Sequence, residues 1–196
     1  PGVGLARVMQ QLAGRGLWVG TSAPAETSTA VDAYDNPLIQ QRLIFNILRK
    51  LDAHEDGVVL PPPPERLPPF PWLRFQIDKA LRESGWDGMA RWALKDFRLA
   101  LLWPMFARAC PDATWVVVTQ DPEALAQALI ADERFARHST SREYWKMYLN
   151  VLEERIATLC RSGERVVVVA DEADPARLQA QLGTHLGDIL DGPAPA

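Results

Sequence analysis

The chain has 196 residues, of which 47% are hydrophobic and 23% are charged, and its formal net charge is −4. This composition predicts a single soluble domain over residues 1–190 and a disordered tail over 191–196. The slightly acidic balance argues against nucleic acid or an anionic membrane as a partner. We expect a cytoplasmic location, because no apolar run reaches the ~20 residues of a membrane span and the N-terminus lacks a signal pattern.

Helices are predicted wherever apolar residues repeat at helical spacing. The first pattern runs from Leu5 to Leu12 and stops at Gly14, whereas residues 18–36 show no period and are predicted to form a surface loop. Other helices are predicted after Asn36-Pro37, over 73–81, from Asp121-Pro122 to about 131, from a capping box at Thr140 and Glu143 to about 161, and after Asp174-Pro175.

Strands are predicted at two runs of β-branched residues, TWVVVT (114–119) and RVVVVA (165–170), and at the shorter RWALKD (91–96). Continuous apolar runs are typical of strands that helices cover on both faces. Their alternation with helices predicts an α/β fold with a three-layer, doubly wound, mostly parallel sheet. Ligands of such sheets bind beyond the carboxyl ends of the strands, which directs attention to the residues that follow each run.

The proline-rich run PPPPERLPPFP (61–71) excludes a helix or a central strand, because proline fixes φ and lacks an amide donor. We interpret it as a stiff surface connector. A protein partner that contacts residues 61–72 is the alternative, and Trp72 is the tryptophan that we expect to be most exposed.

The stretch WALKDFRLALLWPMFARACPDATWVVVTQDP, residues 92–122, resembles the core of the bacterial sulfotransferase family. That family typically shows Lys-Asp-Pro-Arg after a strand, then Leu-Pro-Asp-Ala, a valine-rich strand and Arg-Asp-Pro. The resemblance implies a P-loop-type α/β fold. It also implies transfer of a sulfuryl group from 3′-phosphoadenosine 5′-phosphosulfate to a hydroxyl or an amine.

The family's 5′-phosphosulfate loop, Pro-Arg-Ser-Gly-Thr-Ser, corresponds here to PGVGLA at residues 1–6. Such a loop binds anions through backbone amides at a helix N-terminus, with basic and hydroxyl side chains completing the shell. Pro1 and Gly4 match the family. The positions of the arginine and the hydroxyl residues are occupied instead by Gly2, Val3, Leu5 and Ala6.

The resemblance places the 3′-phosphate on an arginine and a serine, whose positions hold Gln120 and Ala128. Replacing arginine by glutamine removes a charge and the fork that matches phosphate oxygens. Lys95 and Arg98 remain as basic residues near a strand end. We favour structural roles for them, in which Asp96 caps the next segment and pairs with Arg98.

Other chemistry has weaker support in the sequence. His54, His138 and His185 lack the spacing of a metal motif, and we predict no metal site. If the chain transfers sulfuryl groups, His54 and Asp35 are candidates for the base that deprotonates the acceptor. A P-loop domain has a strand before its phosphate loop. Either a segment upstream of Pro1 supplies that strand, which we favour, or the loop is vestigial and the sheet is built without it.

Three functions follow as hypotheses. The first is a sulfotransferase-like domain with a degenerate donor site, which binds or scaffolds and uses no cofactor. The second is an active sulfotransferase in which Lys95, Arg98 and the backbone of residues 2–6 bind the donor. The third is an assembly module of a larger protein that uses the proline-rich face as its contact.

Overall fold

The computed structural model describes residues 3–20 and 34–190, and the predicted tail, Gly2 and most of the predicted loop 18–36 lie outside this part. Two strands are present, β1 (Thr114–Thr119) and β2 (Arg165–Ala170). The helices are α1 (Val3–Gly14), α2 (Pro37–Ile39), α3 (Phe45–Lys50), α4 (Leu73–Glu83), α5 (Leu99–Ala109), α6 (Pro122–Ala131), α7 (Glu133–Ala136), α8 (Arg142–Arg161) and α9 (Pro175–Leu190), with a π-helical turn at Gln40–Ile44 and a 3₁₀ turn at Pro64–Arg66.

Capping side chains begin several of these helices where the sequence predicts them. Asn36 accepts a hydrogen bond of 3.1 Å from an amide in the first turn of α2, and Asp121 accepts one of 3.0 Å at the start of α6. Helix α8 begins one residue later than predicted, because Ser141 rather than Thr140 caps it. The local signals therefore locate these helix starts to within one residue.

The two valine-rich runs pair as parallel strands, in register from Thr114 opposite Arg165 to Thr119 opposite Ala170. The third predicted strand, residues 91–96, is reduced to one parallel bridge between Trp92 and Trp18. The described part of the chain is thus a mixed helical and stranded fold with a two-stranded parallel sheet. A larger doubly wound sheet stays a prediction.

Helices pack on both faces of this small sheet. Val116, Val118 and Val169 face a buried cluster that α1 and α9 supply, whereas Trp115 and Val117 face side chains of α5 and α8. This packing explains why the four central residues of each strand are apolar, although Val168 remains 49% exposed. None of the helices in the described residues has both the length and the apolar character of a bilayer span.

The largest buried cluster lies among helices α2 to α5 and the π-helical turn. Within that turn the amide of Phe45 donates to the carbonyl of Gln40, five residues earlier. Ile39 before this widened turn and Leu48 after it are both fully buried. The extra residue thus lets apolar side chains on both sides of the turn reach the core.

Arg155 of α8 holds the proline-rich connector in place from the protein interior, and it is only 6% exposed. Its guanidinium donates to the carbonyls of Pro61, Pro62 and Leu101 at 2.7, 3.2 and 3.3 Å. Prolines cannot donate in return, so a buried guanidinium with several donors satisfies these carbonyls efficiently. Burial lowers the pKa of Arg155 below its ordinary value.

We predict that Arg155→Met lowers the free energy of unfolding by about 2–4 kcal/mol, because buried carbonyls lose their donors. The measurement is urea denaturation at neutral pH, and Arg161→Met in the exposed last turn of α8 is the matched control. The control should change stability by less than about 0.5 kcal/mol. Equal losses in the two variants would show that Arg155 does not hold the connector.

Candidate functional site

The carboxyl ends of β1 and β2 bring two polar side chains together. Gln120 follows β1 and Asp171 follows β2, and the parallel register places them side by side at one edge of the sheet. The amide of Asp171 donates to the Thr119 carbonyl at 2.8 Å, and Gln120 Nε2 donates to Asp171 Oδ2. The edge where ligands are expected is therefore occupied by an amide–carboxylate contact within the protein.

The Asp171 carboxylate also lies against the first turn of α1. A Cβ atom added at Gly4 would come within 2.7 Å of the Asp171 carboxyl carbon, and Arg7 Nη2 lies 3.4 Å from Asp171 Oδ1. The positive end of the helix dipole and the guanidinium both favour a negative charge at this point. The protein thus supplies its own anion where a phosphate-binding helix would bind one from solution.

The other family positions add few anion ligands among the described residues. Leu5 and Ala6 place apolar side chains in the first turn of α1, and Ala128 is exposed on α6 without a polar group. Val3 begins α1, and Gly2 lies outside the described residues. Among Val3, Leu5, Ala6, Gln120 and Ala128, Gln120 is consequently the residue with a polar side chain.

Lys95 and Asp35, predicted for different roles, form one ion pair. Their Nζ and Oδ1 atoms are 2.6 Å apart, and the Lys95 side chain is only 4% exposed. Gln40 Nε2 donates to the second carboxylate oxygen of Asp35 at 2.8 Å. Burial raises the pKa of Asp35 above its ordinary value, although Lys95 and Gln40 oppose this shift. The pair lies beside a cavity of about 270 Å³ lined in part by Asn36.

Arg98 has the structural role that the sequence suggests. Its guanidinium forms two hydrogen bonds to Asp96, of 2.7 and 2.6 Å, and its amide donates to the same carboxylate at 2.8 Å. Nη1 also donates to the carbonyl of Glu55 at 2.9 Å, and the guanidinium stacks 4.6 Å from the Phe45 ring centre. Arg98 therefore joins three segments of the core rather than facing an open site.

His54 belongs to a cluster that the sequence spacing does not indicate. Its Nδ1 atom lies 2.7 Å from Asp56 Oδ1, and His138 Nε2 contacts Asp56 Oδ2 although these two residues are 82 positions apart. Arg137 Nη2 lies 3.1 Å from the same carboxylate. Burial alone would raise the pKa of Asp56, but hydrogen bonds from Val58, Arg137 and both histidines lower it overall.

Sequence reasoning missed Asp56, His138 and Asp171 as site residues. Asp171 could have been found from its position directly after a predicted parallel strand, where ligands of α/β sheets bind. No local pattern marks the contact between His138 and Asp56, because it depends on how α7 packs against the loop after α3. The structure brings Lys95 to Asp35 and His54 to Asp56, and Gln120 to Asp171.

We predict that Gly4→Ala lowers the free energy of unfolding by about 1–3 kcal/mol, because its Cβ would displace the Asp171 carboxylate from Arg7 and Gln120. Gly14→Ala, at the other end of α1, has no neighbour within 4 Å and should stabilise by about 0.5–1 kcal/mol. Thermal and urea denaturation of both variants test the contact. A Gly4→Ala variant as stable as the wild type would place the carboxylate elsewhere.

We also predict that Lys95→Met lowers the free energy of unfolding by about 1–3 kcal/mol, because Asp35 is left partly buried without its ammonium partner. The control is Lys79→Met, whose exposed lysine lies 3.9 Å from Glu83 and should change stability by less than about 0.5 kcal/mol. Adding Asp35→Asn to Lys95→Met should recover part of the loss. A double variant that loses the sum of both single effects would contradict the pairing.

The comparisons with known proteins leave the fold and the site to be argued from this chain alone. No protein-family model, curated protein or solved structure matches it. The resemblance carried by residues 92–122 therefore rests on their sequence pattern alone.

Proposed function

We propose that this chain is a sulfotransferase-like α/β domain whose donor site no longer binds 3′-phosphoadenosine 5′-phosphosulfate, and that it acts by binding or scaffolding. The observation that carries the proposal is the Asp171 carboxylate beside the first turn of α1. A donor phosphosulfate would need that position. The two negative groups would therefore compete for the same helix terminus and the same arginine.

The repulsion between Asp171 and a phosphosulfate group is large enough to weaken binding of the donor. Two unit charges about 4 Å apart repel by ~1 kcal/mol in water and ~4 kcal/mol at the effective dielectric of a protein surface. Arg7 offers one positive charge, which Asp171 already neutralises. Losing ~4 kcal/mol would weaken a micromolar ligand to roughly millimolar affinity.

The second donor position supports the same interpretation. The Gln120 side chain, which stands where the family has an arginine, donates to Asp171. The Ala128 side chain has no donor for a 3′-phosphate. Both positions on which the resemblance places the nucleotide's phosphates therefore lack the charge that such a ligand needs.

An active enzyme with an altered donor site is the weaker candidate. It would require Lys95 and Arg98 to turn toward the donor. Lys95 is paired with Asp35 at 2.6 Å, and Arg98 is bound to Asp96 through two hydrogen bonds. Releasing either cation would leave a partly or fully buried carboxylate without its partner, which costs several kcal/mol for a buried pair.

A binding role has support at the end of the proline-rich connector. Trp72 is 72% exposed, as the sequence predicts, and Phe75 is 61% exposed. A groove of about 490 Å³ adjoins Trp72 and is lined by Phe70 and by basic side chains, including Lys50. Exposed aromatic side chains next to lysine fit a protein segment with apolar and acidic residues. We therefore propose that residues 61–72 contact a protein partner.

The test of the proposed function is calorimetric titration of the purified chain with 3′-phosphoadenosine 5′-phosphate, the desulfated donor. We expect no heat of binding and no thermal shift at nucleotide concentrations up to about 1 mM. A micromolar dissociation constant for the wild-type chain would overturn the proposal and favour the active enzyme. Acceptor screening would then be the next step.

A double variant tests whether Gln120 and Asp171 are what prevents nucleotide binding. Gln120→Arg combined with Asp171→Asn restores the positive charge and removes the competing carboxylate. We expect this double variant to gain weak nucleotide binding, whereas Lys95→Met should stay silent like the wild type. Urea denaturation of the double variant controls for folding, because Asp171 also contacts Arg7.

A further inference from the structure

His54, Asp56 and His138 form a compact group of possible metal ligands outside the donor site. One ligand atom from each residue lies within 4.8 Å of the other two. The imidazole rings of His54 and His138 are edge-to-face, with their centres 5.3 Å apart, and the Asp56 carboxylate lies between their ring nitrogens. Each imidazole thus contacts a different oxygen of the same carboxylate, which brings three metal-ligating groups into one cluster.

The loop that bears two of these groups is held firmly from several sides. Gly57 adopts a φ of +77°, and the amide of Val58 donates to Asp56 Oδ1 at 3.1 Å. Arg98 donates to the carbonyl just before Asp56, and the buried Tyr148 hydroxyl donates to the carbonyl of Gly57 at 3.3 Å. Burial raises the pKa of Tyr148, so this hydroxyl stays a donor. A preorganised loop lowers the cost of assembling a metal site.

The chemistry of the donor set fits a divalent ion of the zinc class. Neutral imidazole nitrogen and carboxylate oxygen are zinc's common nitrogen and oxygen ligands, and sites with three protein ligands keep a fourth position for water. The His54 side chain is 42% exposed, so its ring can move by the order of 1 Å that ion–ligand distances of about 2 Å require. His138 and Asp56, at 21% and 11%, are more buried and supply the fixed part of the site.

We propose that His54 Nδ1, the Asp56 carboxylate and His138 Nε2 together bind one zinc-class divalent cation, which links the loop after α3 to the end of α7. This inference does not depend on the proposed function, because none of these residues touches the proposed donor site in any contact described above. The two histidines coordinate through different ring nitrogens. Each therefore carries its proton on the other nitrogen when the ion is bound.

Arg137 lies where it can distinguish a metal site from a structural ion-pair network. Its guanidinium lies 3.1 Å from Asp56 Oδ2 and its side chain is 57% exposed. A dication at Asp56 would repel this guanidinium, which can swing into solvent. Arg137→Ala should therefore strengthen zinc binding. If the cluster is only a structural ion-pair network, the same change would weaken the cluster and leave zinc binding absent.

The experiment is a calorimetric titration of the metal-free full chain with Zn²⁺ at neutral pH, with Co²⁺ absorbance as a second readout. We expect one equivalent of Zn²⁺ per chain, a rise in the melting temperature, and visible bands with Co²⁺. His138→Ala and Asp56→Asn should each weaken binding by at least about tenfold. Arg137→Ala should bind more tightly than the wild type.

Two controls address other zinc ligands in the chain. His185→Ala changes an exposed histidine of α9 that is outside the cluster, and Cys160→Ser removes an exposed thiol. Both should bind zinc as the wild type does. The proposal is overturned if the wild type shows no saturable binding, or if either control weakens binding as much as His138→Ala. Should His138→Ala fail to fold, the direction of the Arg137→Ala effect decides between the two interpretations.

Discussion

The buried pair between Arg98 and Asp96 fixes three segments of the core relative to one another. Both side chains are nearly inaccessible, at 9% and 1%, and two hydrogen bonds join them. Nη1 of the guanidinium donates to the carbonyl of Glu55 in the loop after α3, and its face stacks on Phe45. One cation thereby sets the positions of a helix start, a loop and an aromatic side chain. Removing the Asp96 carboxylate would leave the Arg98 guanidinium buried without a partner of opposite charge, at the full cost of its desolvation.

Internal carboxylates are the partners of three cations at the sheet edge and in the core. Asp35 pairs with Lys95, Asp96 with Arg98, and Asp171 with Arg7. In a domain that binds polyanions, at least some of these cations would be left for the ligand. Here carboxylates of the protein itself compensate the cations of these three pairs.

Much of the local structure could be predicted from the sequence because it depends on neighbouring residues. Asp121-Pro122 specifies a helix start through a side-chain cap and a fixed φ, and the two valine-rich runs specify strands. The segment 91–96 is a weaker strand candidate without β-branched residues, and only its Trp92 pairs, with Trp18. Strand pairing depends on a distant partner, which a local pattern does not contain.

The candidate sites were less predictable for the same reason. The neutral side chains at Gln120 and Ala128 could be read directly from the sequence, but the carboxylate beside the first turn of α1 could not, because Asp171 meets α1 only through the packing of the sheet edge. The sequence indicates His54 only because an imidazole can act as a base. Its partners come from the same loop and from a helix end 82 residues beyond Asp56, a separation that no spacing rule covers.

The π-helical turn at Gln40–Ile44 sets the orientation of everything that follows it in the segment 37–50. An ordinary α-helix advances about 100° per residue, so deleting one residue here would rotate α3 by that amount against α2. Phe45 would then leave the guanidinium of Arg98, and Ile47 and Leu48 would leave the core. The single extra residue therefore acts as a rotational adjustment, which lets one helical segment present correctly oriented side chains to two different neighbours.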